Sequence, residues 1–232
     1  MLLSDLFEQL TYGELSQLSI TGNGTRIDNE DYPKMVAHIN LALSNLSTRF
    51  NMLQKEIIIQ QYDHITDYYL RPQFAVNSGS SETYKYLVDT AEDPFLGDVV
   101  TVQEIYDELG TEVYINKNVL NSIYTPAFDT IQIPYPVSTN AISVIYRAKH
   151  RKLVVGSSTD LETIEVNIPD FLIVPMSYFI ASNLTGPIGE SGLNESNNYI
   201  NKYEKAIQII EMQGLFNRDN MEVDNITSQG WV

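Results

Sequence analysis

The chain has 232 residues, 43% of them hydrophobic, enough for one substantial core or one core with a smaller satellite. Fourteen Lys and Arg against thirty Asp and Glu give a formal net charge of −16, which argues against a conventional nucleic-acid binder, since such binding draws on a basic face. There is no cysteine, which excludes a disulfide framework and thiolate metal sites.

The opening Met1-Leu2-Leu3-Ser4-Asp5 lacks a basic start, so no secretory signal is expected. The most apolar run, 171–184, holds Pro175, Ser177 and Ser182 and is too short to span a bilayer; it reads as a buried helix.

Leu3, Leu6, Phe7 and Leu10 have the spacing of a short amphipathic helix that Ser4 can cap. Thr11 to Glu14 reads as a capping box before a second short helix carrying Leu15 and Leu18. Gly22-Asn23-Gly24 is a loop, with glycines too few and wrongly spaced for a phosphate cradle. Asp31 and Pro33 mark the start of a long helix over 33–55. Its seam is Val36, Ile39, Leu43, Leu46, Phe50 and Leu53, and so short a heptad pattern favours packing within the chain.

Ile57-Ile58-Ile59 is a β-branched triplet read as a strand, with Asp63-His64 as the turn and Tyr68-Tyr69-Leu70 as the returning strand. Further strands are predicted at 84–88, 99–106, 112–115, 122–124, 130–133, 141–147, 152–155 and 163–166. Leu109-Gly110 and Gly156-Ser157-Ser158 supply turns. Asp170 signals another helix, with Pro175 in its first turn or at a kink, and Met176, Phe179, Ile180 and Leu184 on its apolar face. Gly186-Pro187-Ile188-Gly189 breaks it, 189–198 reads as a mobile loop, and Tyr199, Tyr203, Ala206, Ile207 and Ile210 form a last stripe closed by Gly214.

The expected class is α+β: a helical bundle from the N- and C-terminal segments with an inserted antiparallel β sheet or small sandwich. The predicted divisions are 1–55, the inserted β region 56–167, 168–215, and a flexible tail 216–232.

No constellation for chemistry emerges, so no enzyme, cofactor or metal site is expected. His38, His64 and His150 lie in no metal-binding spacing, and no serine sits in a nucleophile elbow. His64 beside Asp63 and Asp67 fits a solvated turn, and Asp28-Asn29-Glu30-Asp31 lacks the glycine and terminal glutamate of a calcium loop. Asn45, one of five glycosylation sequons, falls inside the long helix, a poor place for a glycan.

Two features stand against the composition. Arg147, Lys149, His150, Arg151 and Lys152 fall within six consecutive positions, read either as a solvated hairpin end or as a basic contact for an acidic partner or DNA phosphate. Trp231, the lone tryptophan, is either part of a disordered tail or an anchor for a partner pocket.

The order of these segments resembles the head-to-tail connector, or adaptor, proteins of short-tailed bacteriophages, of the tail tubular protein A type. It is carried by YPKMVAHINLALSNLSTRFNMLQKEIII, the strand ending Tyr69-Leu70-Arg71-Pro72, AISVIYRAKH, IPDFLIVPMSYFIASNL and YINKYEKAIQIIEMQGL. These are packing and turn signatures.

The resemblance implies a structural adaptor in the virion, at the neck of the capsid vertex, made in the host cytoplasm. It implies a homo-oligomeric ring, usually a dodecamer, beneath the portal protein ring. Such a ring extends the DNA channel and docks tail nozzle or fibre proteins. Genomic DNA passes through without specific binding, which the acidic charge favours, and no membrane is involved. The expected partner-binding residues are Arg147, Lys149, Arg151, Lys152 and Trp231. The alternatives are a glycan-binding or glycan-cleaving tail module, or a neck or nozzle subunit that does not touch the portal.

Overall fold

The computed structural model describes residues 1–13, 15–16, 21–22, 26–156, 159–185 and 189–215. The elements in chain order are α1 (Leu3–Tyr12), β1 (Thr21–Gly22), β2 (Arg26–Ile27), α2 (Tyr32–Arg49), β3 (Gln54–Gln60) and β4 (Asp67–Tyr69). They continue with β5 (Leu87–Val88), β6 (Val99–Tyr106), β7 (Tyr124–Ala127), β8 (Thr130–Gln132), β9 (Ala141–Ala148), α3 (Ile173–Thr185) and α4 (Gly189–Met212). The class is α+β. The predicted features at Glu14, Leu18, Asn23-Gly24, Ser157-Ser158, Gly186-Pro187-Ile188 and 216–232 lie outside the described residues.

The chain forms two compact units. One joins Met1–Met52 to the segment from Arg151 onward; the other is Leu53–His150. Residues 151–167, expected in the β insert, belong to the helical unit.

In the helical unit, α1 buries Leu3, Leu6, Phe7 and Leu10. Ser4 does not cap it. The helix begins at Leu3, whose N–H donates to the Ile164 carbonyl at 2.8 Å, and the Asp5 carboxylate accepts the Leu2 N–H at 3.3 Å. The stretch before α1 is extended and bridges Glu165, so the helix start is set by a distant segment together with the Asp5 side chain.

Helix α2 holds Pro33 in its first turn and buries Val36, Ile39, Leu43 and Leu46 of the expected seam, while Phe50 and Leu53 lie beyond its end, Leu53 packing against the β core. It stops at Arg49, short of the predicted 55, because Phe50 is extended and every residue of 54–60 pairs with β9. Pro175 lies in the first turn of α3, after a 3-10 turn at Asp170–Leu172.

The mobile loop predicted over 189–198 is instead the opening of α4. Ser196 is buried, its hydroxyl donates to the Ser182 carbonyl of α3 at 2.9 Å, and it begins the stripe continued by Tyr203, Ile207 and Ile210. Gly214 follows α4 with φ +63°, a backbone conformation that favours glycine.

Helices α2 and α4 are fastened together. The Arg49 guanidinium makes two 2.8 Å hydrogen bonds to the Glu204 carboxylate and lies 5.5 Å from the centroid of the Tyr203 ring. The Tyr203 hydroxyl donates to the Asn45 side chain, so this sequon is occupied by packing. Burial pushes the Tyr203 hydroxyl up to about 12, which keeps it a donor.

The β unit contains a four-stranded antiparallel sheet, ordered β5-β3-β9-β6, and a three-stranded one, β4-β8-β7, with a core drawn from both. The turn at Asp63-His64 forms, but β4 does not return alongside β3. It crosses to the second sheet, where Tyr68 faces Ile131. Strand β6 occupies its predicted span, and β9 extends one residue further than predicted, with alternate residues Ile142, Val144, Tyr146 and Ala148 buried. Predicted strands 112–115, 152–155 and 163–166 are absent as ladders; the first and last survive as isolated bridges at Glu112, Ile115 and Glu165. Only Leu87–Val88 of 84–88 is a strand, and β7 begins at Tyr124.

Candidate interaction surface

The basic run straddles the border between the two units and forms no hairpin. Strand β9 ends at Ala148, and 149–156 carry the chain back into the helical unit without regular structure. The four expected contact residues are therefore not equivalent. Arg147 lies within β9, opposite Gln54 on one side and Thr101 on the other; it is half-buried, and its Nε is buried without a hydrogen-bond partner. Lys149, Arg151 and Lys152 are exposed.

The run is held at both ends. The Lys149 N–H donates to the Asp98 carbonyl at 2.7 Å. The Asp98 carboxylate takes the Lys55 ammonium at 2.8 Å and the Tyr146 hydroxyl at 3.2 Å. Burial, with Asp98 adjacent, pushes the Tyr146 hydroxyl far up. On the helical side, the Asn40 amide of α2 brackets the Leu153 backbone with two bonds of 2.8 Å. Lys149 and Lys152 are thus displayed from anchored backbone rather than from a loose tip. Trp231 lies outside the described residues.

Among the described residues, no group of three or more His, Cys, Asp or Glu is close enough to hold a metal ion. His64 packs against Tyr62 and Tyr84, with ring centroids 6.1 and 4.8 Å away. Asp63 instead accepts the Ser138 N–H at 2.6 Å and its hydroxyl at 3.0 Å. Asn29–Asp31 forms a 3-10 turn leading into α2. Tyr68, Tyr86 and Tyr146 are fully buried and bond through their hydroxyls to Tyr62, Tyr69 and Asp98, so they build the core rather than a ligand platform. Burial pushes the Tyr86 hydroxyl strongly up.

The helical unit also contains a cavity of about 340 Å³ that no sequence pattern announces. Phe7 and Tyr12 of α1, Tyr32 of α2 and Leu161 supply its apolar wall, and Glu8 and Glu162 its carboxylates. Phe7 and Tyr32 meet edge to face with centroids 5.2 Å apart. No described helix is long and apolar enough to cross a membrane. No protein-family model matches this sequence, and a comparison with curated proteins finds no match.

Proposed function

We propose that the chain is a structural adaptor that forms a ring beneath a phage portal, extends the DNA channel and docks tail components. The observation that carries this reading is the joining of the two ends of the sequence into one helical unit, with a continuous β unit inserted between them. That is the organisation the resemblance to phage connectors implies. The helical unit supplies side-by-side contacts around the ring, and Lys149 and Lys152 are exposed for an acidic neighbour. A charge of −16 per copy favours passage of DNA over adhesion to it. Trp231 in the tail is the proposed anchor on the portal.

Mass photometry of the purified chain, alone and mixed with its intact portal ring, tests the reading. The expected result is a light species alone and a portal peak heavier by about twelve chains. No mass gain on an intact portal removes the portal-binding role.

A further inference from the structure

The cavity beside α1 has a composition that selects its occupant. Its two carboxylates, Glu8 and Glu162, are exposed; Phe7 and Tyr32 are buried behind them, and among the described residues no basic one lines it. Aromatic faces next to carboxylates favour a cation on an apolar stem, which is what a lysine side chain offers. The fold already uses this chemistry: the Lys202 ammonium lies 5.0 Å from the Tyr199 ring centroid and 5.3 Å from that of Tyr178.

A source of such cations is on the same chain. Four of its fourteen Lys and Arg residues fall within 147–152, and Lys149 and Lys152 are exposed there on anchored backbone. Two copies, each at −16, repel one another at a distance. A contact placing this concentrated positive segment against an acidic cavity offsets the repulsion locally.

We propose that the cavity receives the lysine side chains of the 149–152 segment from a second copy of this chain. The inference rests on the ring reading and deepens it. Cavity and basic segment are different surfaces, so the contact is heterologous: each copy gives its segment to one neighbour and receives from the other, which closes into a ring when the rotation permits.

Two measurements on the full chain test the contact separately from portal binding. First, a synthetic peptide of residues 147–154 is titrated against the wild type and against Glu8→Lys/Glu162→Lys, with circular dichroism confirming the fold of each variant. Binding should weaken at least about tenfold in the variant and fall with added salt. Second, Glu8→Lys/Glu162→Lys and Lys149→Glu/Lys152→Glu are examined by sedimentation velocity, separately and as an equal mixture, at concentrations far above those of mass photometry, where the species that is light when dilute self-associates through this contact. Each alone should associate less than wild type, and the mixture should recover, because every junction between unlike copies is again complementary. Absent peptide binding, binding unchanged by the reversals, or a mixture no better than its components each overturns the cavity contact. The portal mass gain decides the ring reading independently: a gain with no effect of the reversals leaves the ring standing without this contact.

Discussion

The side-chain amide of Asn40 and the backbone of Leu153 are joined by two 2.8 Å hydrogen bonds, one in each direction. Asn40 stands in for a neighbouring strand, pairing with a segment that has none. Asn40→Ala leaves a partly buried N–H and carbonyl without partners and should cost about 2 kcal/mol. Asn40→Asp keeps the acceptor but sets a carboxylate against the Leu153 carbonyl, so it should not rescue. Urea denaturation of the three proteins checks this; equal midpoints would remove the clamp from the stability of the helical unit.

The Arg49–Glu204 pair ties α2 to α4 across the length of the sequence. Its side chains are 33% and 42% exposed, so the bidentate geometry adds little more than a favourable surface pair. A double-mutant cycle with Arg49→Ala and Glu204→Ala should give a coupling of about 0.5–1 kcal/mol. Arg49→Lys should lose most of it, since an ammonium does not reproduce the fork. Zero coupling would leave the helix pairing to the apolar stripe of Tyr203, Ile207 and Ile210.

Within the basic run, position decides the phenotype. Replacing Lys149, Arg151 and Lys152 with serine should lower assembly on the portal and flatten its salt dependence while thermal stability stays near wild type. Arg147→Ser should act differently, lowering stability, because Arg147 is half-buried at a ladder position opposite Gln54 and Thr101 and its stem leaves water on folding. Assembly and melting temperature measured side by side separate the two effects. Normal assembly with an unaltered salt response in the triple variant would make the run a solvated connection.

Asp89 should give the β unit a pH dependence. Burial alone would raise its carboxyl, but hydrogen bonds from the Asn77 N–H and side-chain amide and the Phe95 N–H hold it below the usual carboxylate range. With the folded value depressed, this stability is fully present above the unfolded value near ~3.9 and is lost as pH falls through the folded one. Asp89→Asn should therefore destabilise at neutral pH and flatten the acid limb of the stability curve. The comparison is made by denaturant melts from pH 7 downward; parallel curves for the two proteins would count against it.

What could be read from the sequence was local. The seam from Val36 to Leu46 repeats at helical spacing, and β6 is a β-branched run with a turn after it, so both were legible. The partner of β4 was not, because Tyr68 pairs with Ile131 far along the chain and nothing near Asp63-His64 signals the crossing. The first turns of α4 were hidden for a different reason. Their inward residue is Ser196, which satisfies its hydroxyl on Ser182 and reads as polar loop in isolation. The basic run was visible as composition, but its place at the border of two units depends on Ala148 ending a ladder and Asn40 catching Leu153. The cavity is assembled from α1, the start of α2 and residues 161–162, so no contiguous pattern announces it.

The Ala148 N–H donates to the Leu53 carbonyl at 2.8 Å, so the chain enters and leaves the β unit on adjacent strands. This fixes an order during synthesis. The β unit is complete once residue 150 has cleared the ribosome, whereas α2 acquires the binding partner of Arg49 only when residue 204 emerges. At 5–20 residues per second, the interval between α2 and α4 is on the order of ten seconds. Until α3 emerges late in that interval, the apolar seam of α2 has neither α3 nor α4 to cover it. A chaperone that holds nascent apolar helices would find its target in that window, and a variant that folds well once finished could still fail there.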